Sequence, residues 1–176
     1  MIALLRISAS AGGGAPQGWV CLAAGEEGLA ACTLPRPTTA AALNQVDHRL
    51  AAPAEGDHLL PQAARELRRY FAGEATPLDF ALDLSGLPEF TRRVLVAVAE
   101  IPYGETRSYG WIARRAGRPG AARAVGQAMA RNPLAPIVPC HRVIGSDGGL
   151  VGFGGGLDCK RFLLNMEGAG RLRAKP

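Results

Sequence analysis

The sequence predicts an α+β protein: a small N-terminal sheet-plus-helix domain over residues 1–85, then a mainly helical domain over residues 86–176. Three observations carry that prediction. Short apolar runs between turn residues fill the early part of the chain. Apolar spacings of three and four take over after residue 88. The charge also changes sign between the halves: residues 1–88 hold 6 basic and 9 acidic side chains, residues 89–176 hold 14 and 6.

In chain order, Ile2 to Ser8, Trp19 to Ala23 and Leu29 to Leu34 read as strands, with Ala11 to Gly18 as a hairpin-like loop. Residues 35–57 are rich in Pro and Ala and show no clear period. Leu60, Ala63, Ala64, Leu67, Tyr70 and Phe71 follow helical spacing, and Gly73 is placed to stop that helix. Leu78, Phe80, Leu82 and Leu84 alternate with Asp79, Ala81 and Asp83, the pattern of a half-buried strand. Ser85 to Pro88 marks a boundary. Beyond it, Phe90, Val94, Ala97, Val98 and Ile101 form one helical stripe, and Pro102-Tyr103-Gly104 breaks it. Tyr109, Ile112, Ala113 and Ala116 form the next, ended by Gly117. Pro119 is expected to open a third helix, burying Ala121, Ala124, Val125, Ala128 and Met129 and exposing Arg123, Gln127 and Arg131. Lys160 to Glu167 reads as a closing helix.

Composition bounds the function. With 48% hydrophobic and 20% charged residues among 176, the chain can bury a core, and it holds no run of about 18 apolar residues such as a membrane span needs. Residues 1–11 are mostly apolar without a preceding positive segment, which sets against a secretory signal. Four Cys with no C-x-x-C pair are too sparse for a disulfide scaffold, so a reduced, cytoplasmic protein is expected. Cys21, Cys32, His48 and His58 are spaced by 11, 16 and 10 residues, which matches no usual zinc pattern, and no metal site is expected.

Eighteen of the 20 basic residues are Arg, whose fork suits phosphate better than the Lys point charge. Such a basic half fits a polyanion-binding face, or a solvated surface in an Arg-rich protein. Two short helices joined by a tight Gly-Arg-Pro turn fit a helix-turn-helix or an ordinary helical hairpin; the exposed Arg row favours nucleic acid.

The segment that could do chemistry is Ile137-Val138-Pro139-Cys140-His141-Arg142-Val143-Ile144. A thiol needs a base or nearby positive charge before it attacks, and His141 and Arg142 offer both. The same pattern fits a structural Cys packed as a small hydrophobe. The glycines between 145 and 156 lack the Lys-Ser/Thr ending of a phosphate loop, but they permit close backbone approach to a flat ligand, with Phe153 as an apolar wall. Glu167 is the carboxylate that could orient His141. Cys159 reads as packing. A Cys–His hydrolase is also conceivable, but no oxyanion hole or substrate cleft can be assigned from the sequence.

These residues together resemble the O6-alkylguanine-DNA alkyltransferases. The matching text is Ile-Pro-Tyr-Gly at 101–104, Ser-Tyr at 108–109, Ala-Ala-Arg-Ala-Val-Gly at 121–126, Asn-Pro at 132–133, Pro-Cys-His-Arg-Val at 139–143, Gly-Phe at 152–153 and Glu-Gly at 167–168. The resemblance covers residues 86–168 and implies a ribonuclease H-like N-terminal domain and a winged-helix-like helix-turn-helix in the second. It implies a single-turnover DNA repair protein acting on duplex DNA that carries O6-alkylguanine, with O4-alkylthymine as a related lesion. No cofactor and no membrane are implied, and a monomer is expected. Arg123, Tyr109, Ser146, Ala122 and Gly126 would contact DNA, with Arg123 filling the gap left by an extruded base and Tyr109 crowding the phosphate. Val143, Phe153 and Gly154 would form the base pocket, and the backbone carbonyls of Cys140 and Val143 would read the base edge. Cys140 would accept the alkyl group, His141 would act as base through a water, Glu167 would hold His141, Asn132 would brace the turn, and Tyr109 would protonate the leaving guanine. Many members have Tyr where this chain has Phe153. Alkyltransferase-like lesion binders, which lack the reactive Cys, are the alternative that Cys140 argues against.

Overall fold

A computed structural model describes residues 1–8, 16–46, 58–75 and 77–169. The chain divides into two compact units, Met1–Gly86 with Pro133–Ile137, and Leu87–Asn132 with Val138–Pro176. Both mix helices with short strands.

The first unit is built on an antiparallel sheet in the order β1 (Ile2–Ile7), β2 (Gly18–Ala24) and β3 (Leu29–Cys32). Ile2 faces Ala23 and Leu22 faces Cys32, with a bulge at Ala23/Ala24. Residues 11–15 of the expected hairpin loop lie outside the described residues, as does His48. The aperiodic segment holds one short helix, α1 (Thr39–Leu43), whose start is fixed by Thr38 Oγ1 accepting from Ala41 N at 3.1 Å. Cys21, Ala23, Ala31, Ala42 and Val46 form one buried cluster there. Helix α2 (Leu59–Phe71) buries Leu60, Ala63, Leu67, Tyr70 and Phe71, the face its spacing predicted. It stops at Gly73, whose φ of 90° costs a residue without Cβ little.

Residues 78–84 correct an expectation. Their side chains alternate between half-buried and exposed from Leu78 to Leu82, after which Asp83 is half-buried and Leu84 buried, and they form no strand beyond a single bridge of Leu82 to Leu29. Leu29 N donates to Ala81 O and Asp83 N donates to Leu29 O, both at 2.8 Å, and there the ladder ends. The cause lies in Asp83. Its carboxylate accepts from Glu26 N, Ser85 N and Ser85 Oγ, which draws the chain into a turn instead of a second pairing.

The second unit packs α3 (Glu89–Ala99), α4 (Tyr109–Arg115) and α5 (Ala122–Met129) on one another. A two-residue parallel pair, β4 (Arg107–Ser108) with β5 (Val143–Ile144), and α6 (Leu157–Met166) complete it. Buried Val94, Leu95, Val98, Ile112, Ala113 and Val125 supply the helical core. Ser108 Oγ caps α4 by accepting from Trp111 N at 3.1 Å. Pro119 does not open α5. It sits in a turn followed by Gly120 at φ 84°, a conformation no helix contains, so α5 starts three residues later. The closing helix starts before Lys160, at Leu157. Arg123 and Gln127 are exposed on α5, as their spacing predicted; Arg131 is exposed too, but it lies past the helix, which ends at Met129. No helix among the described residues is long and apolar enough to cross a membrane.

Candidate active site

The site is assembled on two tight segments of the second unit. Asn132 follows α5, and its Nδ2 donates to Val138 O at 2.9 Å and to Cys140 Sγ at 3.2 Å. That side chain ties the segment leaving α5 to the one arriving at the thiol. Cys140, His141 and Arg142 then form a single 3₁₀ turn that feeds β5. A tight turn sends successive side chains in different directions, so Cys140 and His141 need not face each other although they are adjacent.

Behind the thiol lies a buried ion cluster. His141 and the Glu167 carboxylate are both sealed from solvent, with Nε2 to Oε1 at 2.9 Å. Arg142 donates to the same carboxylate through Nε (2.7 Å to Oε2) and Nη2 (3.0 Å to Oε1). Its Nη1 donates to Ile101 O at 2.6 Å, and the guanidinium lies 5.7 Å from the centroid of the Tyr103 ring. The sequence placed Arg142 as a positive charge for the thiol; its hydrogen bonds instead go to Glu167 and Ile101. Burial alone would raise the Glu167 carboxyl, but hydrogen bonds and charges from His141 and Arg142 outweigh it and hold the group far below the usual carboxylate range. Burial lowers His141, and the Glu167 charge only partly offsets that. The imidazole is therefore neutral at physiological pH. With Nε2–H donating to an ionised carboxylate, the lone pair sits on Nδ1, which makes the ring a competent base.

Burial raises the Cys140 thiol, against the Asn132 donor, the Lys160 charge and two backbone N–H groups. The resting site therefore pairs a neutral thiol with a neutral imidazole. The cation that opposes this burial is Lys160, which sequence reasoning placed only as a helix residue. It is fully buried, donates from Nζ to Val143 O (2.7 Å) and Val151 O (2.9 Å), and burial lowers it to about 8. No sequence signal short of a Lys inside a closing helix's apolar face could have found it.

Cys140 is 7% exposed, and that edge opens onto a cavity of about 670 Å³, a volume typical of sites that enclose a flat ligand. Tyr109, Met129, Val151 and Phe153 give it apolar walls, and Arg123 and Ser146 stand on its lining. Ala122, Gly126 and Gly154 lie there too. Val143 is not on the lining. It is fully buried, and its carbonyl accepts from Lys160. Burial, then the neighbouring Cys140, raises the Tyr109 phenol, so it keeps its proton at neutral pH.

A family model described as 6-O-methylguanine DNA methyltransferase, DNA binding domain, matches residues 89–169. A methylated-DNA–protein-cysteine methyltransferase of Mycolicibacterium paratuberculosis is 61% identical over 105 residues, 60% of this chain, and the match spans 63% of that relative's length. One from Methanosarcina acetivorans is 53% identical over 115 residues, covering 65% of this chain and 73% of the relative. Among solved structures, the Mycobacterium tuberculosis OGT in complex with DNA superimposes with a TM-score of 0.72 at 43% identity, over 97% of this chain and 94% of that one.

Proposed function

The chain belongs to the methylated-DNA–protein-cysteine methyltransferase family, and we propose that it repairs duplex DNA by moving an alkyl group from O6 of a flipped guanine onto its own Cys140, once per molecule. The observation that carries this reading is the thiol at the wall of a cavity of about 670 Å³, roomy enough for a purine, with a buried His141–Glu167 couple behind it.

The chemistry follows from the site's resting charges. Arg123, exposed on α5 and on the cavity lining, enters the base stack, while Tyr109 crowds the backbone and turns the lesion out. Unpairing costs a few kcal/mol, least for a base that pairs badly, which favours the lesion over ordinary guanine. The flipped base displaces water from the cavity. The Cys140 proton then passes through a bridging water to His141 Nδ1, and Glu167 stabilises the imidazolium that forms. The thiolate attacks the alkyl carbon: the S–C bond forms, the C–O6 bond breaks, and its electron pair leaves with guanine. Tyr109 O–H supplies the proton the departing base needs. The product is a thioether, so the protein is consumed.

The first unit, on this reading, is ribonuclease H-like, and α4 and α5 with the β4–β5 pair form a winged helix-turn-helix. The second unit is both DNA-binding and alkyl-accepting, O4-alkylthymine is a second substrate, and the protein works as a cytoplasmic monomer without a cofactor. The complex of the Mycobacterium tuberculosis relative with DNA supports DNA as partner. The test is Cys140→Ala. We expect it to bind O6-methylguanine duplexes and transfer nothing. A wild-type protein that likewise binds without transfer would show a lesion-binding module instead.

A further inference from the structure

We propose that Arg114 anchors a phosphate of the DNA backbone beside the nucleotide that enters the Cys140 cavity. The proposal rests on the repair reading above and adds to it a contact that lies outside the cavity lining.

The ion pairs of the second unit sort its cations. Its described residues hold ten Arg, and five of these are held by carboxylates. Arg115 is one, with Nε and Nη2 donating to Glu100 at 2.7 and 3.0 Å. The other five are Arg92, Arg114, Arg118, Arg123 and Arg131, and no carboxylate among the described residues pairs with them. All but Arg92 lie within residues 114–131, which run from the last turn of α4 past the end of α5. A guanidinium without a carboxylate can take a phosphate without first giving up a partner. Arg118 lies over the Phe90 ring at 4.9 Å, and Arg123 lines the cavity.

Helix geometry places Arg114. Side chains on a helix lean toward its N-terminus, so residue 114 stacks over residue 110 one turn earlier. Residue 110 is Gly. A methyl group there would meet Arg114 Nη1 at 3.9 Å and Ser108 Oγ at 3.8 Å, both ordinary contacts. Gly110 has no positive φ, so the backbone does not demand a glycine at this position. What the missing side chain leaves is a bare strip on the first turn of α4, with the Arg114 guanidinium lying along it.

That turn borders the cavity. Tyr109 precedes Gly110 and stands on the lining with Arg123, and a Cβ on Gly126 of α5 would lie 3.7 Å from the Tyr109 ring. Two cations without carboxylate partners thus come to Tyr109 from different helices, Arg123 on the lining and Arg114 along the neighbouring turn. A base leaves the stack only if its sugar–phosphate linkage turns with it. With Tyr109 crowding that linkage, a fork on the adjacent phosphate oxygens fixes the backbone against which the nucleotide rotates. Arg123 meets the stack, whereas Arg114 meets phosphate alone, so its contribution is the same on damaged and undamaged DNA.

The test is fluorescence anisotropy of the full chain on undamaged and O6-methylguanine duplexes between 50 and 200 mM salt, in a Cys140→Ala background so that no transfer intervenes. Each phosphate the protein neutralises makes affinity fall by a further factor of about 3.5 over that range. Arg114→Gln should remove one such factor and weaken binding to both duplexes equally, by roughly tenfold at 50 mM. Arg114→Lys should restore the salt slope, because an ammonium neutralises the same phosphate. Arg115→Gln deletes the same charge one residue away, from a guanidinium already held by Glu100, and should leave the slope unchanged. Thermal unfolding of Arg114→Gln should match its parent, since the side chain is exposed and outside every ion pair of the unit. Equal effects of Arg114→Gln and Arg115→Gln would show a diffuse field and overturn the contact. So would an unchanged slope in Arg114→Gln, or a loss confined to the damaged duplex. A parent protein that binds neither duplex would instead overturn the repair reading on which the assignment rests.

Discussion

Replacing Glu167 by Gln keeps the size of the side chain and removes the charge on which the site is organised. Glu167 accepts from His141 at 2.9 Å and from Arg142 at 2.7 and 3.0 Å, with the His141 and Glu167 side chains out of solvent. Gln can turn its oxygen to only one of these donors and must aim its own N–H₂ at the other. Removing one partner of a buried ion pair costs about 3–5 kcal/mol. Arg142 keeps its bond to Ile101 O and is 12% exposed, so about 3 kcal/mol is the reasonable figure at pH 7. With a urea slope of about 2 kcal/mol per molar, the midpoint falls by about 1.5 M. The assay is urea unfolding followed by Trp fluorescence in a Trp19→Phe background, which leaves Trp111 of the second unit as the reporter. The pH dependence gives the sign. A carboxyl held below its ordinary 4.5 contributes stability that is complete above about pH 4.5 and is lost as pH falls toward the folded value. By pH 3 about 2 kcal/mol of the gap should have closed, at about 1.4 kcal/mol per pH unit. Equal midpoints at pH 7, or a gap that persists unchanged in acid, would refute the buried-hub argument.

Three other outcomes follow from the same geometry. Transfer by the wild type should fall as pH drops below the ordinary His range, because His141 must be neutral to accept a proton, and pre-steady-state rates between pH 5 and 9 read this directly. Asn132→Ala removes the donor at 3.2 Å from Cys140 Sγ, so the thiol should titrate higher and react more slowly with iodoacetamide at pH 8. Arg123→Ala should slow lesion transfer more than it weakens binding to undamaged duplex, with the salt slope of binding shallower by at most about one phosphate contact; equal loss of both would remove its base-stack role.

Much of the fold was legible because its patterns are local. The α2 stripe from Leu60 to Phe71 and the exposed pair Arg123 and Gln127 on α5 needed only helical spacing. The pattern fails where a side chain or glycine overrides it: Asp83 turns an alternating stretch out of the sheet, and Gly120 delays a helix that Pro119 is placed to begin. At the site, Cys140, His141 and Glu167 stood out because their residue types carry chemistry. The destination of a charge did not. Arg142 sits two residues from the thiol yet spends its donors on Glu167, while Lys160, twenty residues away, is the cation that opposes the thiol's burial. Sequence distance says nothing about which charge reaches a buried sulfur, and only packing decides it.

The most direct measurement is the intact and peptide mass of the protein after incubation with an excess of duplex DNA carrying O6-methylguanine. We predict one methyl group per molecule, on the peptide containing Cys140, with no further uptake however long the reaction runs. A folded, DNA-bound protein whose Cys140 stays unmodified, or methyl groups on another residue, would contradict the assignment of that thiol as acceptor.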